Sequence, residues 1–183
     1  MPARRPMLAV IGSGGALDPA IAAAAEALGQ LAIEAGFRLV SGGRDGVMEA
    51  ASRGARAASS WREGDVIGIL PGYERAQANP FVDVVIPTGL GIARNVVVVA
   101  SADVVVAIAG GSGTLSEIAI AWQLGKPVIG IDLGLGQPGG WAERAAGTAI
   151  DDRRGDQVRR ARSPAEAVEL AVAAIGEGRR RHP

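Results

Sequence analysis

The chain has 183 residues, 48% of them hydrophobic, which is enough for one well-buried domain and too few for two. Lys+Arg and Asp+Glu both number 19, so the formal charge is zero and no overall basic field invites nucleic acid. There is no cysteine and one histidine, His182, which excludes disulfides, thiolate or multi-histidine metal sites, cysteine nucleophiles and Ser-His triads.

Arginines gather toward the ends, at Arg4 and Arg5, from Arg153 to Arg162, and from Arg179 to Arg181. No aromatic residues interleave with them as a base-stacking surface requires, so they read as solvated tails. No segment approaches the ~18 uninterrupted apolar residues of a membrane span, and the N-terminus lacks an apolar leader. A soluble, cytoplasmic protein without membrane or nucleic-acid partners is expected.

Taken in order, apolar runs alternate with helix-patterned segments, the pattern of a mainly parallel sheet with helices on both faces. Met7 to Ile11 predicts a short buried strand, broken by Gly12-Ser13-Gly14-Gly15. Asp18-Pro19 predicts an N-cap with proline at the first helical position, and an alanine-rich helix runs to about Ala35 with Gly36 as its stop. Phe37 to Val40 is the next strand, followed by the glycine turn Ser41 to Gly46 and a helix from Val47 to about Ala58. Val66 to Leu70 predicts a third strand, Tyr73 to Pro80 a mobile polar loop, and Val82 to Ile86 a fourth strand. A helix over Ile92 to Ala100, a fifth strand over Val104 to Ala109, a helix over Leu115 to Leu124 and a sixth strand over Pro127 to Ile131 follow. Residues 133–141 read as a surface loop, and Ser163 caps a last amphipathic helix from Pro164 to Ile175. The expected fold is α/β: a single doubly wound, Rossmann-like domain over 1–183, with its core at about 7–176 and an arginine-rich tail at 177–183.

Gly110-Gly111-Ser112-Gly113-Thr114-Leu115-Ser116-Glu117 joins a buried strand to a helix. Such a turn presents backbone N–H groups at the positive end of the helix dipole, which suits a phosphate. The glycines allow close approach and positive φ, and Thr114 adds a hydroxyl donor. Glu117, one turn on, is unhelpful to phosphate affinity but suited to a sugar, a water or a leaving group. Three glycine-rich loops, 12–15, 41–46 and 110–113, follow strands, and in a doubly wound sheet they share the ligand-binding edge. A nucleotide-like ligand is the default.

Together, Gly42-Gly43-Arg44-Asp45-Gly46-Val47-Met48, Pro87-Thr88-Gly89-Leu90-Gly91-Ile92-Ala93-Arg94-Asn95 and the Gly110–Glu117 run resemble the LOG (Lonely Guy) family over roughly residues 7–131. That family is often labelled "possible lysine decarboxylase". The resemblance implies a Rossmann-like fold and cleavage of the N-glycosidic bond of nucleoside 5′-monophosphates, releasing base and ribose 5-phosphate without a cofactor. It implies a phosphate cradle at Gly110, Gly111, Ser112, Gly113 and Thr114, with Glu117 as the catalytic carboxylate and Arg94 as the catalytic arginine. A carboxylate stabilises oxocarbenium character and positions a water, and a guanidinium holds phosphate or carboxylate in a planar fork. The base and ribose pocket is expected from Gly12, Ser13, Gly14, Gly42, Gly43, Arg44, Met48, Thr88, Gly89 and Asn95. No metal site is expected.

Departures from the family pattern matter. Ala109 stands where the PGGxGTxxE signature has proline, and Arg44-Asp45 add a charged pair where the enzymes have a run closer to Gly-Gly-Gly-x-x-Gly-Leu-Met. The Thr88–Arg94 run is similar to the molybdenum cofactor carrier proteins of the same fold, which implies a bound phosphorylated pterin. Two functions remain open, a phosphoribohydrolase using Arg94 and Glu117, and a non-catalytic carrier or sensor of a nucleotide or molybdopterin-type ligand. The sequence favours the hydrolase because both residues are retained. A DNA-processing protein of related fold fails for want of a basic, aromatic-lined face. The decarboxylase label fails as well. A pyridoxal-phosphate enzyme needs a Schiff-base lysine, and the only lysine, Lys126, precedes a strand on the edge opposite the loops. The resemblance also implies a homodimer or higher homo-oligomer, with Trp122 and the apolar face from Ile92 to Ala100 as candidate contacts.

Overall fold

In the computed structural model, which describes residues 4–135, 140–152 and 155–181, the apolar runs form six strands. These are β1 (Met7–Gly12), β2 (Arg38–Ser41), β3 (Val66–Leu70), β4 (Val84–Pro87), β5 (Val104–Ile108) and β6 (Val128–Ile131). A seventh, β7 (Arg159–Ala161), lies inside the arginine cluster that reads as solvated. The helices are α1 (Pro19–Glu34), α2 (Val47–Ala57), α3 (Arg94–Ser101), α4 (Ser112–Gln123), α5 (Trp141–Ala145) and α6 (Pro164–Arg181). All strands pair in parallel, in the order β4-β3-β2-β1-β5-β6-β7.

That order places the ligand edge. The chain lays β2, β3 and β4 outward from β1, then crosses back to lay β5, β6 and β7 on the other side. A crevice opens where the order reverses, at the carboxyl ends of β1 and β5. Gly12 is in register with Ile108 there, and a Cβ on Gly12 would lie 2.5 Å from the Ile108 carbonyl oxygen. Both central strands are buried on two faces, as parallel strands require. Leu8, Val10, Val104 and Val106 pack with α1, α2 and α6, whereas Ala9, Ile11, Val105 and Ala107 pack with α3, α4 and α5.

The capping signals act as their sequences indicate. Asp18 accepts from the Ala20 N–H at 2.8 Å, Gly36 ends α1 with φ 87°, and Ser163 Oγ accepts from the Glu166 N–H at 3.2 Å. Several boundaries differ. The helix expected over Ile92–Ala100 is a 3-10 turn, Gly91–Ala93, followed by α3, and α4 begins at Ser112 because Gly111 takes the N-cap position. The 73–80 segment contains a 3-10 turn at Arg75–Gln77 and is anchored by buried Asn79. In the expected loop 133–141, Trp141 opens α5, while residues 136–139 lie outside the described residues.

The arginine clusters are partly structural. Arg5 donates to the Phe37 carbonyl at 2.9 Å and pairs with buried Asp65, and Arg160 pairs with Asp132 and donates to the Ala146 carbonyl at 2.7 Å. Arg153 and Arg154 lie outside the described residues, as do His182 and Pro183 of the expected tail, whose backbone is otherwise helical to Arg181. Among the described residues no helix is long and apolar enough to cross a membrane.

Mid-helix glycine costs about 1 kcal/mol relative to alanine, yet α1 and α2 each carry one at their contact. A Cβ would sit 1.9 Å from the Ala51 carbonyl oxygen at Gly29, and 1.8 Å from the Glu26 carbonyl oxygen at Gly54. The helices therefore touch backbone to backbone. Gly54→Ala is expected to lower unfolding free energy by at least ~2 kcal/mol, because neither backbone can yield. Urea denaturation checks this, and a variant as stable as wild type would mean the helices are less closely packed.

Candidate functional site

The first turn of α4 faces the crevice. Its first intrahelical bond runs from the Leu115 N–H to the Gly111 carbonyl at 3.0 Å, and no side chain caps the helix. The N–H groups of Ser112, Gly113 and Thr114 therefore lack intrahelical acceptors and stand at the positive end of the dipole. Nothing lies within 4 Å of a Cβ built on Gly111 or Gly113, so an anion can approach this backbone directly. The carbonyls of the loop are drawn to the opposite side by α5. The Trp141 N–H donates to the Gly110 carbonyl at 2.9 Å and the Ala142 N–H to the Ala109 carbonyl at 3.0 Å. Ser13 Oγ accepts from the Gly110 N–H at 3.0 Å and ties the β5 loop to the β1 loop.

Arg94 and Glu117 meet beside this turn, with Nη1 3.6 Å from Oε1. Arg94 opens α3 and Glu117 lies one turn into α4. The two helix starts are linked by Asn95, which donates to Ser116 Oγ at 3.0 Å, while Ser116 donates to the Gly113 carbonyl at 2.7 Å. Glu117 is buried, and burial pushes its carboxyl up to about 7 although the Arg94 charge opposes the shift. Burial also pulls Arg94 below the ordinary arginine value, with Glu117 opposing and the like charge of Arg44 adding to the pull. The guanidinium lies flat against Gly42, where a Cβ would be 2.4 Å from both Nη atoms.

The resulting cleft holds about 300 Å³. It gathers Gly12, Ser13, Gly14, Gly42, Met48, Arg94, Asn95, Gly111, Ser112, Gly113, Thr114 and Glu117 from the sequence-derived set. It adds Val10 and Ile11, which read in sequence only as buried strand. The other expected residues lie outside this lining. Gly110 shapes the turn, since a Cβ there would lie 2.2 Å from Thr114 Oγ1. Gly43 packs against Gly68. Thr88 Oγ1 donates to the Leu70 carbonyl at 2.7 Å, and the Gly89 N–H donates to the Gly72 carbonyl at 3.2 Å beneath the Tyr73 ring. Arg44 stands exposed on the turn after Gly42.

Two further residues can be placed. Lys126 lies before β6 and donates to the Ala102 carbonyl at 2.6 Å, away from the cleft. Trp122 is not a surface contact: it is 3% exposed, and its indole N–H donates to Asp151 at 3.0 Å, because α4 packs that face inward. In contrast, Ile92 is 91% exposed and Val96 47% exposed.

The family model of the SLOG cluster4 family matches residues 5–168. The chain belongs to the SLOG cluster4 family. This LOG-like membership agrees with the resemblance carried by the three glycine-containing runs. An uncharacterized protein of Archaeoglobus fulgidus is 41% identical over 124 residues, covering 68% of this chain and 78% of that one. Among solved structures, the molybdenum cofactor binding protein of Rippkaea orientalis is 38% identical with a TM-score of 0.76, over 94% of this chain and 98% of that one. The molybdenum cofactor carrier protein of Chlamydomonas reinhardtii is 30% identical with a TM-score of 0.77, over 94% and 99% of the two chains.

The raised Glu117 carboxyl gives this SLOG protein a pH signature. Folding favours protonated Glu117, so its contribution is fully present below the ordinary value of 4.5 and is lost as pH rises through about 7. Glu117→Gln removes that slope and stabilises the fold at about pH 8 by on the order of 3 kcal/mol relative to wild type. Denaturant unfolding across this range measures it. Parallel profiles for the two proteins would mean that Glu117 is not desolvated.

Proposed function

We propose that this SLOG protein binds a phosphorylated pterin of the molybdenum-cofactor class and carries it unchanged, as a single-domain cytoplasmic protein. The observation that carries the reading is the open first turn of α4, aimed into the cleft in a chain similar along its length to two proteins named for binding that cofactor. The Ser112, Gly113 and Thr114 N–H groups would hold the phosphate, with the Gly12–Gly14 loop and Met48 against the rest of the ligand. Arg94 then exchanges partners. It faces Glu117, and an anion arriving beside it would compete for the guanidinium while the buried carboxyl takes up a proton. Binding and release are thereby balanced without breaking a bond.

The paired Arg94 and Glu117 also favour a second reading, a nucleoside 5′-monophosphate phosphoribohydrolase. Ionised Glu117 would stabilise positive charge on the ribose and position a water for attack on the anomeric carbon, and the base would leave with a proton. One experiment separates the readings. Purified protein is incubated with molybdopterin and, separately, with AMP, GMP and N6-substituted AMP, then analysed by chromatography. Carriage predicts co-elution of the pterin, its loss in Gly113→Asp, and recovery of every nucleotide intact. Release of free base that vanishes in Glu117→Gln would install the hydrolase instead.

The carrier is expected to work as a homodimer or higher homo-oligomer. Leu90, Ile92 in the 3-10 turn before α3 and Val96 in the first turn of α3 are exposed, and Val84 and Ile86 of edge strand β4 are exposed as well. From Val84 to Ser101 the only charged residue is Arg94, whose side chain is 13% exposed. Exposed apolar side chains of this kind are what a two-fold contact between identical copies would bury. Ile92→Glu should therefore shift the protein to monomer in analytical ultracentrifugation, and an unchanged sedimentation coefficient would place the contact elsewhere.

A further inference from the structure

Asn95 lines the cleft, and only half of its side-chain amide is used by the packing around it. The hydrogen-bond network fixes which half. Ser116 commits its hydroxyl proton to the Gly113 carbonyl at 2.7 Å, so toward Asn95 its oxygen can only accept. The Asn95 amide nitrogen therefore faces Ser116, at 3.0 Å, and the carbonyl oxygen Oδ1 is turned the other way. Oδ1 accepts no hydrogen bond among the described residues. No side-chain oxygen among them is both buried and without a partner, so Oδ1 is open to solvent. Asn95 lines the cleft and Ser116 does not, which puts the free oxygen on the cleft side of the amide.

The chemistry of that oxygen sets it apart from its neighbours. The hydroxyls of Ser13, Ser112 and Thr114 can turn to donate to an anion, and the Arg94 guanidinium only donates. Oδ1 only accepts, and once a ligand covers it, it needs a donor from that ligand. It is also close to the phosphate turn. Two hydrogen bonds, Asn95 to Ser116 and Ser116 to Gly113, separate the amide from the peptide whose N–H belongs to Thr114. The stitch between α3 and α4 uses the amide nitrogen alone and leaves the oxygen without a structural task.

We propose that Asn95 is a specificity-determining residue whose Oδ1 accepts from an O–H or N–H group of the ligand, beside its phosphate arm. This rests on the phosphate reading of the α4 turn and deepens it, for a carried pterin and for a nucleotide alike. The ligand class is thereby narrowed to phosphate monoesters with a hydrogen-bond donor within a few atoms of the ester oxygen. A phosphate ester with a bare hydrocarbon arm covers Oδ1 without pairing it, and binds less tightly.

Glycerol 3-phosphate and propyl phosphate test this, because they share the phosphate and the length of the carbon arm and differ only in hydroxyls. Titration of wild type, Asn95→Ala, Asn95→Asp and Gly113→Asp with each ester, followed by NMR, gives the comparison. Wild type should bind glycerol 3-phosphate about fivefold tighter than propyl phosphate, one hydrogen bond's worth. Asn95→Ala should make the two affinities equal. Asn95→Asp keeps an acceptor and gives up the amide donor, so it should weaken both esters through its charge yet preserve the preference. Gly113→Asp should abolish binding of both. A preference that survives Asn95→Ala, is lost in Asn95→Asp or is absent from wild type would overturn the acceptor role and leave the phosphate reading intact. Failure of wild type to bind either ester, or undiminished binding by Gly113→Asp, would overturn the phosphate turn and this proposal with it.

Discussion

A backbone loop can present N–H groups to an anion only if its carbonyls are satisfied on another side. Here α5 meets that condition. The N–H groups of Trp141 and Ala142, at the start of a five-residue helix, take the carbonyls of Gly110 and Ala109. Gly140 must be glycine for this contact, since a Cβ there would lie 2.5 Å from the Gly110 carbonyl oxygen. With the carbonyls held, Ser13 fixes the Gly110 N–H, and the first turn of α4 with its Ser112, Gly113 and Thr114 N–H groups opens into the cleft. The position of Glu117, one turn along the same helix, and through Asn95 and Ser116 that of Arg94, follow from this one arrangement.

The same contact explains the residue that breaks the family signature. Ala109 has φ 51°, the single positive value outside glycine among the described residues. Proline is locked near −65° and is barred from that conformation. A left-handed alanine costs about 1–2 kcal/mol, and the strain persists because the Ala142 hydrogen bond and burial on both sides over-determine it. A proline here is barred by the same φ that carries the Ala109 carbonyl to the Ala142 N–H of α5.

This contact also marks the limit of what the sequence could reveal. Strands β1 to β6 were legible because two-sided burial leaves continuous Val, Ile and Leu runs, and α1 because Asp18-Pro19 and Gly36 punctuate it. β7 was not, since Arg159-Arg160-Ala161 buries one side chain of three and its arginines read as solvated. α5 is too short for a helical period and follows a glycine-rich stretch. Trp122 looked like a surface anchor because its partner, Asp151, lies in a distant loop that no local pattern connects to α4. Arg94 and Glu117 were found through the family motif, not through periodicity. Nothing local says that two helix starts will be stitched together by Asn95 and Ser116. Thr88 and Gly89 fit the motif but serve the zipper between the β3 and β4 loops, and only three-dimensional packing distinguishes those roles.

A buried ion pair is weak evidence for stability, since desolvating both charges offsets most of their attraction. The Arg94–Glu117 pair is held at 3.6 Å, longer than a good hydrogen bond, and burial shifts both residues toward their neutral forms. A core built for stability alone would replace both with apolar side chains. A cleft built for tight, permanent phosphate capture would keep the arginine and discard the carboxylate. Retaining both gives the arginine a resident partner that can be displaced, so that an incoming anion gains the guanidinium while losing less than an ionised carboxylate would repel. On the carrier reading, such a pair would set the affinity of the site below its maximum, as handing a ligand onward requires.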